Sequence, residues 1–187
     1  MQVFLPLPDF KQSLQCLDVA RLQKQRVEAY QILNVLRGAN KGWINHPVVK
    51  MWKDYDDALA IYYNTSLKVW RGANTMTEAK LHYRNQRMPP WFGREDIHAS
   101  HRSRLLFKGK LDLLADRIHL HPACKGRAHN KWLKEAGLPN LASFRQEEYD
   151  EVNRFLDSQD IPPIDENDNF YLQYGWTEPD NLEYVWS

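Results

Sequence analysis

The chain has 187 residues, 43% of them hydrophobic, and a formal net charge of +1. That is enough apolar material for a core, no apolar run reaches membrane-spanning length, and the small net charge excludes a non-specific nucleic-acid coat. The two cysteines, Cys16 and Cys124, make no disulfide framework, which points to a reducing cytoplasm.

The first ten residues, MQVFLPLPDF, join apolar Val3, Phe4, Leu5 and Leu7 to the stiff Pro6 and Pro8. Such a segment can pack into a core and fix the end of the chain. Asp9 can cap a short helix through Leu17. Gln2 is a poor context for removal of the preceding methionine, so the terminal amine belongs to Met1. α-Amines ordinarily titrate at about 7.7–8.0, against about 10.4 for lysine. A fixed α-amine is therefore a ready nucleophile for Schiff-base chemistry; a plain hydrophobic anchor is the alternative.

Asp18 is an N-cap for a long helix that ends at Gly38, where a left-handed residue belongs. Val19, Leu22, Val27, Tyr30, Leu33 and Leu36 give it an apolar face. Arg21, Lys24, Gln25 and Glu28 fall at i, i+3, i+4 and i+7 and share a stripe, with Arg26 nearby. One carboxylate among cations suits phosphate binding beside an ionised acid; a solvated amphipathic face is the alternative. GWINHPVVKMW then places Pro47 in a first helical turn, behind Asn45 or His46. His46 can contact phosphate or an abasic sugar, or serve the structure alone. Asp54 should cap a helix to about Arg71.

Residues 72–93 read as loop around a short helical TEAKLHYRN. Arg84 and Arg87 beside Trp91 and Phe92 can grip a strand or wedge a base; a turn with a buried tryptophan is the alternative. Asp96 should cap IHASHRSRLLFK, where His98, His101 and Arg102, with Ser100 alongside, read as phosphate contacts rather than metal ligands. Residues 117–133 hold His119, His121, Cys124 and His129 in no common zinc spacing and read as a basic loop facing DNA. Gln146 to Leu156 should be an acidic surface helix. The tail ends in Tyr184, Val185 and Trp186, which can touch DNA or cap the core.

Taken together, MQVFLPLPDF, LDVARLQKQRVE, GWINHPVVKMW, PPWFG, HASHRSRLL and the terminal YVW resemble the pyrimidine-dimer DNA glycosylase (phage endonuclease V-like) family, in its larger bacterial branch. The resemblance covers residues 1–108 and, weakly, the last few. It implies an all-α, compact single-domain fold with an anchored N-terminal segment and an aromatic C-terminal tail. Residues 1–108 would be the family core and 109–187 an extension and tail. It also implies an N-terminal amine that attacks the sugar C1′, helped by a glutamate on the first long helix whose arginines grip the DNA backbone. In gapless register that glutamate falls on Gln23. Glu28 is the best substitute carboxylate and Asp18 the second. Arg26 is in register with one family arginine, and Arg21 is one place from another.

The expected activity is excision of a bulky damaged or modified pyrimidine from double-stranded DNA. The base would be a pyrimidine dimer or a hypermodified cytosine such as the glucosylated hydroxymethylcytosine of phage DNA. The candidate catalytic residues are Met1, Glu28, Gln23 and Asp18. The candidate DNA contacts are Arg21, Lys24, Gln25, Arg26, His46, Arg87, Trp91, His98, Ser100, His101 and Arg102. No cofactor or metal is expected, and the protein should be a monomer. The competing classes are a non-catalytic DNA-binding module and a metal-dependent nuclease using the histidines.

Overall fold

The computed structural model describes residues 1–73, 75–82, 87–124, 128–141, 145–177 and 184–186. Seven α-helices and no strands occur among them, as expected of an all-α fold. The helices are α1 (Phe10–Gln15), α2 (Val19–Leu36), α3 (Pro47–Met51), α4 (Asp56–Val69), α5 (Glu95–Leu120), α6 (His129–Glu135) and α7 (Gln146–Ser158). Two compact units are present. One comprises residues 1–101 with 184–187, the other residues 102–183.

In the first unit, local chemistry places the helix ends. Asp9 accepts from Gln12 N–H and caps α1, and Asp18 accepts from Arg21 N–H and caps α2. Gly38 takes a left-handed φ of 75° just beyond α2. His46 caps α3 through Nδ1, which accepts from Val48 N–H at 3.2 Å. Asp54 is not the cap of α4. It turns left-handed at φ 69°, and Tyr55 takes the N-cap position, leaving Asp56 and Asp57 in the first turn. Their carboxylates suit the positive end of the helix dipole.

The face that α2 buries also departs from expectation. Leu22, Gln25, Arg26, Ala29, Ile32 and Leu33 point inward, whereas Val19, Val27 and Tyr30 are exposed. Those inner positions keep helical spacing, so the helix is rotated about its axis to bring two polar side chains inside. Between residues 75 and 82 there is no helix, and the rest of the expected TEAKLHYRN helix, with Arg84, lies outside the described residues.

The second unit packs the later part of α5 with α6 and α7 around Phe107, Ile118, Cys124, Leu133, Val152 and Leu156. Residues 117–133 are not the expected open loop: α5 runs to Leu120, a 3-10 turn covers Pro122–Cys124, and α6 starts at His129. Residues 125–127 lie outside the described set. The acidic helix forms over Gln146–Ser158 and buries Tyr149, Val152 and Leu156. Arg117 is buried here, its guanidinium donating to the carbonyls of Ile161 and Pro162 and pairing with Asp157.

Candidate active site around the Met1 amine

Residues 2–7 form an irregular segment that the first unit holds mainly by side chains. Gln2 N–H donates to Glu28 Oε2 at 3.1 Å, and Phe4 N–H donates to Gln25 Oε1 at 2.9 Å. Gln25 Nε2 returns a bond to the Gln2 carbonyl at 3.0 Å. The Tyr62 hydroxyl stands 2.7 Å from Gln25 Oε1 and 3.0 Å from the Phe4 carbonyl. Leu5 N–H donates to His101 Nδ1 at 2.9 Å, and the Leu5 carbonyl accepts from His98 Nδ1 at 2.7 Å. Ser13 both accepts from Leu7 N–H and donates to the Leu7 carbonyl. A buried backbone must find partners for its polar groups, and here α1, α2, α4 and α5 provide them.

This cradle delivers the Met1 amine to a point 4.0 Å from Glu28 Oε1. The Glu28 side chain is only 12% exposed, and Lys24 Nζ lies 3.8 Å from the same oxygen. A carboxylate so placed can accept a proton from the amine or stabilise positive charge that develops beside it. His46 lies in the same electrostatic field. Burial and then the Met1 ammonium lower its pKa from 6.5, against an opposing pull from Glu28. The Tyr62 hydroxyl is held well above 10.0 by burial and by the Glu28 carboxylate. Met1 and Glu28, both read from the sequence as candidates, are thus brought together.

Other candidates have different places. Gln23 is exposed on α2, while Glu28 is the residue beside the amine. Asp18 is the α2 cap and pairs with Arg21 at 2.6 Å. Gln25 is buried in the cradle instead of on a DNA-facing stripe. Arg26 is 6% exposed, its guanidinium stacked 4.1 Å over the Trp70 ring, which removes it from the surface a phosphate would meet. Trp91 is buried edge-on against Trp52 and donates to the Met51 carbonyl, so it is core and not a wedge.

His98, Ser100 and His101 are likewise buried. His98 Nδ1 gives its proton to Leu5 and Nε2 accepts from Gly93 N–H, so both ring nitrogens are engaged. Ser100 donates to the Ile97 carbonyl and accepts from Val185 N–H. Exposed cations remain at Lys24 and at Arg87, which sits 5.5 Å over the Tyr55 ring. Arg102 is half-buried at the start of the second unit.

The cradle residues Gln25, Tyr62, His98 and His101 had a legible signal in part. Gln25 keeps helical spacing with Leu22, Ala29 and Ile32, the pattern of an inward residue. The tail closes the same unit. Tyr184 packs against Phe4 and His101, and Trp186 stands edge-on to His46. For metals, Asp56, Asp57 and His82 each bring a ligand atom within 4.8 Å of the others. Arg37 already pairs with both carboxylates, at 3.1 and 3.4 Å, and supplies the positive charge there.

No curated protein and no solved structure matches the chain. Residues 1–81, which include Met1, Glu28 and His46, match the family model described as pyrimidine dimer DNA glycosylase, the family that the sequence motifs resemble.

Proposed function

We propose that the protein is a DNA glycosylase that excises a bulky damaged or modified pyrimidine from double-stranded DNA, with Met1 and Glu28 as its catalytic residues. The observation that carries this reading is the Met1 amine 4.0 Å from the Glu28 carboxylate, inside the family-matched residues. The amine, once it has given up a proton, attacks C1′ of the target nucleotide. The C1′–N bond breaks, and the base leaves with its electron pair and takes up the proton shed by the attacking nitrogen. Opening of the sugar ring gives an imine between Met1 and C1′, and the ring oxygen takes up a proton. Water hydrolyses the imine, freeing the amine and leaving an abasic site. Glu28 accepts the amine proton and stabilises the cationic sugar. The cradle contributes by fixing the amine, which raises its effective concentration at C1′.

The substrate is a pyrimidine dimer or a hypermodified cytosine such as glucosylated hydroxymethylcytosine. Incubating the protein with ultraviolet-damaged, unmodified and phage-modified DNA, then mapping alkali-labile sites, distinguishes the two. Borohydride added during turnover should trap a protein–DNA adduct at Met1, and EDTA should leave excision unchanged. Glu28→Gln should retain DNA binding and slow excision by roughly two or more decades. Wild-type turnover in that variant would take Glu28 out of the mechanism. Full excision without a trappable adduct would assign the attack to water. No abasic sites on any DNA would leave a binding module.

A further inference from the structure

Trp43 is the most conspicuous side chain that the chemistry above leaves unused. It is 64% exposed, and its neighbour Ile44 is 58% exposed. Its backbone is left-handed at φ 65°, a conformation that burdens any bulky L residue and that glycine would adopt without strain. Burial of an indole is favourable, so an exposed one on a strained turn needs a reason on the surface it faces. The turn is fixed: His46 N–H donates to the Trp43 carbonyl at 2.8 Å.

What borders this ring is His46, whose ionisation feels both the Met1 ammonium and the Glu28 carboxylate. Trp43 stands edge-on to His46 with centroids 5.8 Å apart, and Trp186 meets His46 edge-on at 6.4 Å. Trp186 continues to Tyr184 at 5.4 Å, and Tyr184 to Phe4 at 6.4 Å, three residues from Met1. A row of rings therefore leads from an exposed indole to the segment that carries the amine. A base is bonded directly to C1′, so whatever receives it must border the group that attacks C1′. Bases taken out of a duplex are held by stacking on aromatic side chains.

On the glycosylase reading given above, we propose that Trp43, with Trp186 across His46, is the platform on which the extruded pyrimidine stacks while Met1 and Glu28 act on its sugar. Trp43 is then a substrate-binding residue that selects for a displaced base and does no chemistry itself. The indole face tolerates any planar base.

The test compares wild type, Trp43→Ala and Trp43→Phe on two duplexes, one bearing the target base and one bearing a preformed abasic site. Loss of one stacking partner should slow single-turnover excision by roughly 5- to 150-fold in Trp43→Ala, and Trp43→Phe should recover most of it. Affinity for the abasic duplex, which has no base to stack, should be unchanged in both variants. Trp43 is exposed, so the variants should also keep the wild-type melting temperature. Excision at the wild-type rate in Trp43→Ala would overturn the platform. So would equal loss of excision and of abasic-site affinity, which would mark Trp43 as a general DNA contact. A wild-type protein that excises nothing is a different result: it removes the glycosylase reading, and the platform with it.

Discussion

At the scale of single residues, His101 shows how the cradle constrains chemistry. Its Nδ1 accepts from Leu5 N–H, and its ring is buried between Phe4 and Tyr184. Burial first, and neighbouring His98 second, lower its pKa from 6.5 to about 3. The folded protein therefore keeps this ring neutral at every pH above about 3, while the unfolded chain protonates it below 6.5. Between those values the unfolded state binds the extra proton, so stability rises with pH. The His101 contribution is intact above 6.5 and is lost as pH falls, by up to about 1.4 kcal/mol per pH unit. His101→Asn keeps an acceptor for Leu5 and does not titrate. Urea unfolding from pH 7 to pH 4 should show an acid limb flatter by about one proton than in wild type. An unaltered limb would mean that acid sensitivity comes from other groups. None of this was legible in HASHRSRLL: two histidines and two arginines within seven residues look like an anion site until residue 5 is known to lie against them.

At the scale of elements, α2 and α5 make opposite points about legibility. The ends of α2 followed from Asp18 and Gly38, because caps are local chemistry. Its buried face did not, because apolar content favoured Val19, Val27 and Tyr30, and the inward Gln25 and Arg26 are explained only by partners 21 or more residues away in sequence. α5 was expected to stop near Lys108, before the glycine at 109, yet it continues to Leu120. Gly109 serves a tertiary contact. A Cβ there would overlap Oδ1 of buried Asn169, which accepts from Tyr171 N–H while its amide donates to the Leu106 carbonyl. Gly109→Ala should therefore destabilise the protein by about 1–3 kcal/mol, although alanine is the better helix former by about 1 kcal/mol. Adding Asn169→Ala should cost less in the Gly109→Ala background than in wild type, because the clash is then gone. Additive losses in chemical denaturation would show that the two positions are independent.

At the scale of the molecule, a net charge of +1 leaves the DNA affinity of the proposed glycosylase to a few well-placed cations. Lys24 is exposed beside Glu28, while Arg26 is enclosed on Trp70. Lys24→Ala should lower the slope of log affinity against log salt by about one, and Arg26→Lys should leave that slope alone while reducing thermal stability. The reverse pattern, read from binding titrations at several salt concentrations, would return Arg26 to the DNA interface. The all-α class followed from the resemblance, whereas Glu28 was read from its place among the cations of the helix, since gapless register had put Gln23 there. In the second unit the acidic helix was legible but the core was not, because that core is assembled from segments far apart in sequence.

The cradle also sets a schedule. The ribosome makes the Met1 segment early, yet the groups that hold it in place arrive with Gln25, Tyr62, His98 and His101, and the ring packed on Phe4 arrives with Tyr184. A nascent chain carries its reactive end long before it can aim it. On the proposed mechanism, competence to act on DNA waits for residues 184–186, and a product truncated before them is a bystander and not a source of stray abasic sites.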